Sequence, residues 1–361
     1  MQSITLKPFL KYPGGKSREL KYITPVIPAN IKRYFEPFIG GGSVYFSMNN
    51  VEHYYINDYS TQLINLYESI QKESPEFFQL INKINLDWIE ITNVLQKNRN
   101  LTVFSKAEEV VDNISLDLVN QFNLHNVFKV DLQKSLNRKQ NFIIKQRAQS
   151  IVISESNQQE LLETATKTSY YNLVRKLYNS LTPLNSAFFF FIREFCYSSM
   201  FRFNKNNEFN VPYGGMSYNN KDLTEKINYI KSPALIKRLK NTTISNLDFQ
   251  DFFKKIHFEK NDFIFLDPPY DTEFSTYDLN TFNECDQIRL ANSLKSITTA
   301  KWLLVIKDTK LIRSLYPENN NSIFYNTFDK TYSVSFKNRN NKESTHLMIS
   351  NYDLNHNSRI Y

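Results

Sequence analysis

This chain of 361 residues is organised around one short stretch, Ile264-Phe265-Leu266-Asp267-Pro268-Pro269-Tyr270. An apolar run that ends in a carboxylate, two prolines and an aromatic ring is typical of a buried parallel strand that delivers its last residue into a cleft. Because the prolines restrict φ and lack N–H donors, the chain has to leave the sheet here, and its carbonyl groups are expected to face the cleft as unpaired acceptors. The stretch therefore predicts the edge of an α/β sheet with a polar site at Asp267.

The end of this stretch suits one kind of ligand. The Asp267 carboxylate, the Pro268 carbonyl and the Tyr270 ring together suit a planar group that carries an NH₂, because hydrogen bonds hold the amine while the ring stacks. A nucleobase is such a group. The alternative is an ordinary turn after a strand, since Asp, Pro and Tyr all occur in turns. These residues alone leave both interpretations open.

Glycine usage indicates three places where the backbone tolerates no side chain. The chain has seven glycines, whereas average usage of about 7% would give roughly 25. They form three clusters, at Gly14–Gly15, Gly40–Gly42 and Gly214–Gly215. A chain that avoids glycine elsewhere is expected to retain it where φ is positive or where backbone touches a ligand.

Composition indicates the class of partner. The net charge is +8, the pI is about 9.1 and 15% of residues are aromatic, which suits a polyanionic partner that can stack, such as nucleic acid. Nucleotide bias of the source genome is an alternative origin of the lysines. Cys196 and Cys285 are isolated and lack metal-ligand spacing, so no metal is expected and a reducing cytoplasm fits. The longest apolar run, Ala187 to Ile192, is too short to span a bilayer, so a soluble protein is expected.

The first two glycine clusters predict different local structures. The segment from Phe9 to Ser17 ends in Gly-Lys-Ser like a phosphate-binding P-loop, but the first P-loop glycine would fall at Leu10 and no clear strand precedes it, which disfavours an NTPase. The segment from Arg33 to Val44 predicts a strand, a glycine turn and a helix with Ser43 as its N-cap. Ligands of such sheets bind beyond the carboxyl ends of the strands, so bare backbone here can approach a cofactor closely.

Two aspartates end further predicted strands. The strand from His53 to Asn57 delivers Asp58, 16 residues after Gly42. An acidic residue at such a position accepts hydrogen bonds from vicinal ribose hydroxyls. The strand from Thr242 to Leu247 ends at Asp248. For both aspartates the alternative is a helix N-cap.

In this order the motifs resemble those of DNA adenine-N6 methyltransferases of the Dam-like class. Asp-Pro-Pro-Tyr at 267–270 is similar to the motif of enzymes that methylate exocyclic amines with S-adenosylmethionine. The residues Tyr12 to Lys16 resemble an N-terminal aromatic-small-Gly-Gly-Lys motif, with Pro13 in place of the usual small residue. Residues 36–43 resemble the family's first motif, whose turn holds the methionine portion of the cofactor.

The resemblance implies roles for individual residues. The positions that would bind S-adenosylmethionine are Tyr12, Lys16, Phe38, Gly40, Gly42, Asp58, Asp248, Phe249 and Asp267. Within that set, Asp58 would bind the ribose and Asp248 the adenine end. The catalytic positions would be Asp267, Pro268, Pro269 and Tyr270. No metal is required, because the sulfonium already activates the methyl group.

The α/β alternation stops at residue 62 and resumes near residue 235. This predicts an α/β fold, a Rossmann-like S-adenosylmethionine-dependent methyltransferase sheet formed by 1–61 and 236–361, with a mainly helical target-recognition domain inserted at 62–235. A loop with Phe274, Ser275 and Tyr277 is expected to close over a target base. Later strands are predicted at Trp302–Ile306, near Tyr332–Phe336 and at His346–Ser350.

Two segments of the insert carry recognisable patterns. Alternating aromatic and polar residues around Asn206-Asn207 predict a hairpin, because Asn tolerates left-handed conformations. The family has a similar segment where it meets DNA, which implies DNA contacts from Arg202, Phe203, Asn204 and Lys205; the alternative is a buried aromatic cluster. The second segment, residues 129–147, has one acidic residue, Asp131, and six basic residues. The basic residues are Lys129, Lys134, Arg138, Lys139, Lys145 and Arg147. For this run, a solvated helix face and a phosphate-contacting surface both stay open.

The expected function is site-specific methylation of the exocyclic amine of a flipped adenine in double-stranded DNA, with S-adenosylmethionine as donor. Such an enzyme would act in restriction-modification, beside a separately encoded endonuclease, or as an orphan. The alternatives are N4-cytosine methylation, since cytosine presents a similar amine, and a non-catalytic DNA-binding protein with this fold.

Overall fold

The computed structural model describes residues 6–98, 114–180, 185–269, 282–318, 322–331 and 343–354. These residues form two compact units. The first contains the described parts of 1–8, 12–68 and 233–361, and the second those of 9–11 and 69–232.

One sheet forms the centre of the first unit. In the described residues its strands are β1 (Arg33–Glu36), β2 (His53–Asn57), β3 (Thr242–Ser245), β4 (Asp262–Leu266), β5 (Lys301–Lys307), β6 (Phe324–Thr331) and β7 (Glu343–Ser350). Their spatial order is β3-β2-β1-β4-β5-β7-β6. The first five in this order are parallel, whereas β7 runs antiparallel to both β5 and β6. The predicted α/β fold of Rossmann-like type is therefore confirmed.

The described helices are α1 (Leu20–Ile23), α2 (Ser43–Ser47), α3 (Thr61–Gln71), α4 (Pro75–Lys97), α5 (Asp117–Gln121), α6 (His125–Ala148), α7 (Glu155–Ser180), α8 (Ser186–Phe195), α9 (Thr224–Ile230), α10 (Pro233–Lys240), α11 (Phe249–Lys254), α12 (Glu284–Ser296) and α13 (Lys310–Leu315). Within this part of the chain, no helix is long and apolar enough to cross a membrane.

Strand β4 is buried along its whole length between β1 and β5. Ile264 and Leu266 belong to the apolar core that α11, α12 and α13 cover. Phe263 points to the other face, where its ring lies 6.1 Å from that of Tyr34. Because both faces of the strand are covered, its sequence is continuously apolar instead of alternating. The strand predicted before Asp267 is confirmed.

Other local predictions are confirmed only in part. The strand from His53 to Asn57 is confirmed, whereas β3 ends at Ser245, two residues earlier than predicted. The strand expected near Tyr332–Phe336 lies outside the described residues. Ser43 is not the N-cap of α2: Gly42 takes that place with φ +71°, and the Ser43 hydroxyl lies 3.0 Å from the Ser17 hydroxyl.

The second unit is built on aromatic packing between helices. Trp88 of α4 is fully buried, and its ring lies 5.3 Å from Phe191, 4.5 Å from Phe195 and 5.5 Å from Tyr213. Its indole N–H donates to the Lys221 carbonyl at 2.8 Å, so the polar end of the ring is satisfied. Among the described residues of this unit, β-structure is limited to isolated bridges, and none of the strands β1–β7 belongs to it.

Candidate active site at the carboxyl edge of the sheet

Four predicted site segments meet at one edge of the sheet. Residues 37–42 follow β1, Asp58 follows β2, Asp248 follows β3 and Asp267 follows β4. These four strands are parallel, so their carboxyl ends lie at the same edge, which is where open α/β sheets bind ligands. The central position of β1 and β4 places the glycine turn next to Asp267.

Asn57, the last residue of β2, ties together the loops after its two neighbouring strands. Its side chain is buried. The amide nitrogen donates to the Pro37 carbonyl at 3.0 Å and to the Leu247 carbonyl at 2.9 Å, while the amide oxygen accepts from the Leu247 N–H at 2.9 Å. One side chain therefore sets the positions of both loops. Asn57 was not among the predicted site residues, although a polar residue at the end of a buried strand was a signal in the sequence.

The glycine turn after β1 needs glycine at two positions. Gly40 has φ +46° and Gly42 has φ +71°, which side chains rarely adopt. A Cβ on Gly40 would lie 3.2 Å from the Tyr12 ring, and one on Gly42 would lie 2.8 Å from the Tyr67 hydroxyl. The turn therefore keeps bare backbone beside Tyr12, as the predicted cofactor site requires.

Asp58 braces this turn. Its Oδ2 accepts from the Gly40 N–H at 2.9 Å, and its Oδ1 accepts from the Ser60 N–H at 3.0 Å just before α3. Each carboxylate oxygen has further lone pairs, so the group retains capacity to accept more hydrogen bonds. Asp58 thus joins the glycine turn to the start of α3.

The side chains of Lys16 and Asp267 form an ion pair. The Lys16 ammonium donates to Asp267 Oδ2 and, at 3.0 Å, to the Gly14 carbonyl. The Lys16 side chain is 2% exposed and that of Asp267 is 19% exposed. A charge-assisted hydrogen bond of this kind holds the carboxylate in a defined orientation. The Gly-Gly-Lys motif therefore lies directly against the predicted catalytic residue.

Glu36 is a further carboxylate at this edge that the sequence analysis did not single out. It is buried, and its Oε2 accepts from the Tyr34 hydroxyl at 2.6 Å and from the Tyr45 N–H at 3.1 Å. Burial raises the pKa of Glu36 well above its ordinary value; the Tyr34 hydrogen bond acts against that rise, and the negative charge of Asp267 adds to it. A carboxylate at the end of a buried strand, just before a glycine turn, was the signal in the sequence.

The two prolines after Asp267 differ in their surroundings. The Pro269 carbonyl accepts from the Gln287 side chain of α12 at 3.1 Å, so the expectation that both prolyl carbonyls are unpaired is wrong for Pro269. The cause is tertiary, since α12 brings a buried amide to the turn. No donor to the Pro268 carbonyl is found among the described residues. Tyr270 lies outside the described residues, as do Phe274, Ser275 and Tyr277.

An aromatic cluster lies beside Asp248. The Phe38 ring is 5.6 Å from both the Phe249 and the Phe282 rings. Asp248 caps α11 by accepting from the Gln250 N–H at 2.9 Å, and it also pairs with Arg289 at 2.7 Å. The N-cap alternative is therefore present, and the cofactor role of Asp248 stays a prediction. In the described part of the chain, no group of three or more His, Cys, Asp or Glu side chains could hold a metal ion.

The predicted DNA-contacting residues lie in the second unit. Phe203 and Phe209 form an antiparallel bridge, and Asn207, with φ +62°, closes the turn, so the predicted hairpin is confirmed. Arg202 and Lys205 are exposed, whereas the Phe203 ring lies 5.7 Å from that of Phe209. Asn204 shapes the turn, since its Oδ1 accepts from the Asn206 and Glu208 N–H groups at 2.9 and 3.0 Å.

Most of the chain matches a known protein family. A model of the D12 class of N6 adenine-specific DNA methyltransferases matches residues 12–113 and 118–336. This match covers both the sheet-edge motifs and most of the helical unit.

Individual relatives match over most of their length. The type II methyltransferase M.CviBI of Paramecium bursaria Chlorella virus NC1A is 25% identical over 96% of this chain and 100% of the relative. The type II methyltransferase M1.LlaDCHI of Lactococcus lactis is 25% identical over 97% of this chain and 96% of the relative. The DNA adenine methylase of Haemophilus influenzae is 25% identical over 86% of this chain and 82% of the relative. The family model and the Haemophilus influenzae relative both name adenine, which favours adenine over the N4-cytosine alternative. The chain belongs to the D12 class of N6 adenine-specific DNA methyltransferases.

Proposed function

We propose that this chain transfers a methyl group from S-adenosylmethionine to the N6 amine of an adenine flipped out of duplex DNA, with Asp267 at the reacting nitrogen. The observation that carries the proposal is the shared sheet edge: the glycine turn braced by Asp58 follows β1, and Asp267 follows the adjacent β4. A cofactor held at the first and an amine held at the second would lie side by side.

The residues of this edge fit the proposed cofactor. Bare backbone at Gly40 leaves room for close approach, and a Cβ there would press on the Tyr12 ring. Asp58 has lone pairs for ribose hydroxyls, and the cluster around Phe38 and Phe249 offers an apolar surface to an adenine ring. S-adenosylmethionine supplies a methyl group that its sulfonium already activates for transfer.

Asp267 and the Pro268 carbonyl would accept hydrogen bonds from the adenine amine. The lone pair of that amine is delocalised into the ring, and acceptors that favour a pyramidal nitrogen make it a better nucleophile. The same acceptors stabilise the positive charge that develops on the nitrogen. A carboxylate is a weak base, so Asp267 would stabilise the charge first and take a proton only after transfer.

Lys16 would orient the Asp267 carboxylate. The ammonium donates to Oδ2, and carboxylate oxygens carry further lone pairs that could accept from an incoming amine. In this arrangement Lys16 is a positioning residue for Asp267 as well as a part of the predicted cofactor pocket. Tyr270 would stack on the flipped base, as the sequence analysis predicts.

The inserted domain would hold the DNA. Its exposed Arg202 and Lys205 suit contacts with phosphates or base edges, whereas Phe203 would wedge between bases. The proposed division assigns catalysis to 1–61 and 236–361 and target recognition to 62–235. The names of the type II relatives favour a role in restriction-modification beside a separately encoded endonuclease.

The test is to incubate the protein and S-adenosylmethionine with DNA from a methylation-free host and to analyse the nucleosides. N6-methyladenine is expected from the wild type and none from Asp267→Ala, whose cofactor affinity should persist. Formation of N4-methylcytosine, or near wild-type turnover by Asp267→Ala, contradicts the proposal. Sequencing of the product with modified bases identified then gives the recognised site.

A further inference from the structure

Helix α6 carries a concentration of positive charge that the proposed mechanism does not use. Between His125 and Ala148 it has six basic residues and one acidic residue, a net +5 in a chain whose total is +8. Lys134, Arg138 and Lys145 follow one another at intervals of four and seven residues, so they lie on one face of the helix. All three are exposed. We call these three residues the basic face of α6.

The basic residues of this face, Lys134, Arg138 and Lys145, form no ion pairs with described neighbours. Asp131 lies one turn before Lys134, but its Oδ2 accepts from the Asn172 amide of α7 at 2.9 Å. Lys134 and Arg138 are like charges at i and i+4, which destabilises a helix by about 0.2–0.5 kcal/mol. A face that is merely solvated usually mixes both signs, so this one suits a polyanion.

Cations also line the two grooves where α6 packs on α7. Arg138 and Lys139 line a cavity of about 630 Å³ together with Met216. Lys134 and Lys176, from the two facing helices, line a second cavity of about 460 Å³. Burial lowers the pKa of Lys139. The second cavity also has Asp131 in its lining, so two cations face one carboxylate there, whereas the charged residues of the first cavity are all basic. Concave surfaces with an excess of one sign of charge attract the opposite charge.

The same helix α7 holds the predicted DNA-contacting hairpin. Arg175 donates to the Val211 carbonyl at 2.9 Å, and Asn179 donates to the Phe209 carbonyl at 3.1 Å. Lys176 is the neighbour of Arg175 and lines the groove toward α6. The hairpin and the cationic groove therefore flank one stretch of α7, within a single compact unit.

We propose that the basic face of α6, together with Lys176, is a second phosphate-binding surface that holds the DNA duplex without reading its sequence. The proposal rests on the proposed DNA-modifying function. Lys134 and Lys145 are eleven residues apart, about 16 Å along the helix, which corresponds to roughly five base-pair steps of duplex at 3.4 Å each. The hairpin would select the sequence, and this surface would add affinity.

The test is the triple variant Lys134→Gln, Arg138→Gln and Lys145→Gln. Its matched control replaces three other exposed lysines by glutamine, namely Lys255, Lys260 and Lys295. They have no ion pair among the described residues and precede β4 or β5 at the amino edge of the sheet. Affinity for a mixed-sequence duplex is measured by fluorescence anisotropy between about 50 and 200 mM salt. Thermal melting checks that both variants fold.

The slope of log affinity against log salt concentration should become shallower by about 2.7 in the triple variant, since each lost phosphate contact contributes roughly 0.9. The control should keep the wild-type slope, and the triple variant should raise KM for DNA. A wild-type slope and KM in the triple variant would overturn the proposal and point to a protein partner instead. If the wild type methylates no adenine while the triple variant still loses slope, the proposed function fails and the surface stands.

Discussion

Replacing Gly42 by alanine tests whether the turn after β1 is rigid. Its φ of +71° is left-handed, and an L-residue there costs about 1–2 kcal/mol. The new Cβ would also lie 2.8 Å from the Tyr67 hydroxyl and 3.1 Å from the Phe46 ring. Both rings are almost fully buried, so they cannot move away easily, and overpacking of this kind costs about 1–3 kcal/mol. The free energy of unfolding should therefore fall by about 2–5 kcal/mol.

Gly14 provides the matched control. Its φ of +78° is similarly left-handed, but a Cβ there would meet no atom within 4 Å. Gly14→Ala should therefore lose only the backbone contribution of about 1–2 kcal/mol. The difference between the two variants isolates the steric contribution at Gly42.

The assays are urea denaturation of both variants and calorimetric titration with S-adenosylmethionine. The Tyr67 hydroxyl that the new Cβ would displace donates to the Gly40 carbonyl at 3.2 Å. Gly42→Ala should therefore also weaken cofactor affinity. A loss of about 1.4 kcal/mol in binding free energy corresponds to a tenfold higher Kd. Equal losses in the free energy of unfolding for the two variants, with unchanged cofactor affinity, would refute the reasoning. The turn would then accommodate the new Cβ without a steric penalty.

Three further substitutions address single residues. Asp58→Ala should weaken S-adenosylmethionine binding without changing the methylated sequence; unchanged affinity by calorimetry contradicts the ribose role. The pKa of Glu36 is raised in the folded state, so this residue binds more protons in the folded than in the unfolded protein. Its contribution to the free energy of unfolding should therefore fall as pH rises above about 4.3, the ordinary pKa of glutamate. Glu36→Gln should remove that fall, as urea denaturation between acidic and neutral pH will show; parallel curves would mean that Glu36 is not the cause. Arg202→Ala should weaken DNA binding or relax its sequence choice, and unaltered kinetics on duplex substrates would place the hairpin outside the interface.

The sequence predicted what local chemistry determines. The apolar run of 264–266 and the prolines behind Asp267 imposed a buried strand and its end, and the left-handed tolerance of Asn207 allowed the hairpin. The scarcity of glycine correctly marked Gly40 and Gly42 as positions with positive φ.

Contacts between residues far apart in the sequence could not be predicted from local patterns. The Gln287 amide reaches the Pro269 carbonyl, and the Lys16 ammonium reaches Asp267 from 251 residues away. Ser43 follows the sequence preference for an N-cap, but Gly42 makes the turn with its backbone and Ser43 turns to Ser17 instead. Such pairings depend on which elements the tertiary fold brings together, which no local pattern records.

The Asn57 amide makes the two halves of the proposed cofactor pocket mechanically dependent. It is bonded to the Pro37 carbonyl on one side and to Leu247 on the other. A displacement of the glycine loop would therefore pull on the loop that leads to Asp248. A ligand that engages the glycine loop would therefore also bear on the position of the loop before Asp248, because the same amide holds both.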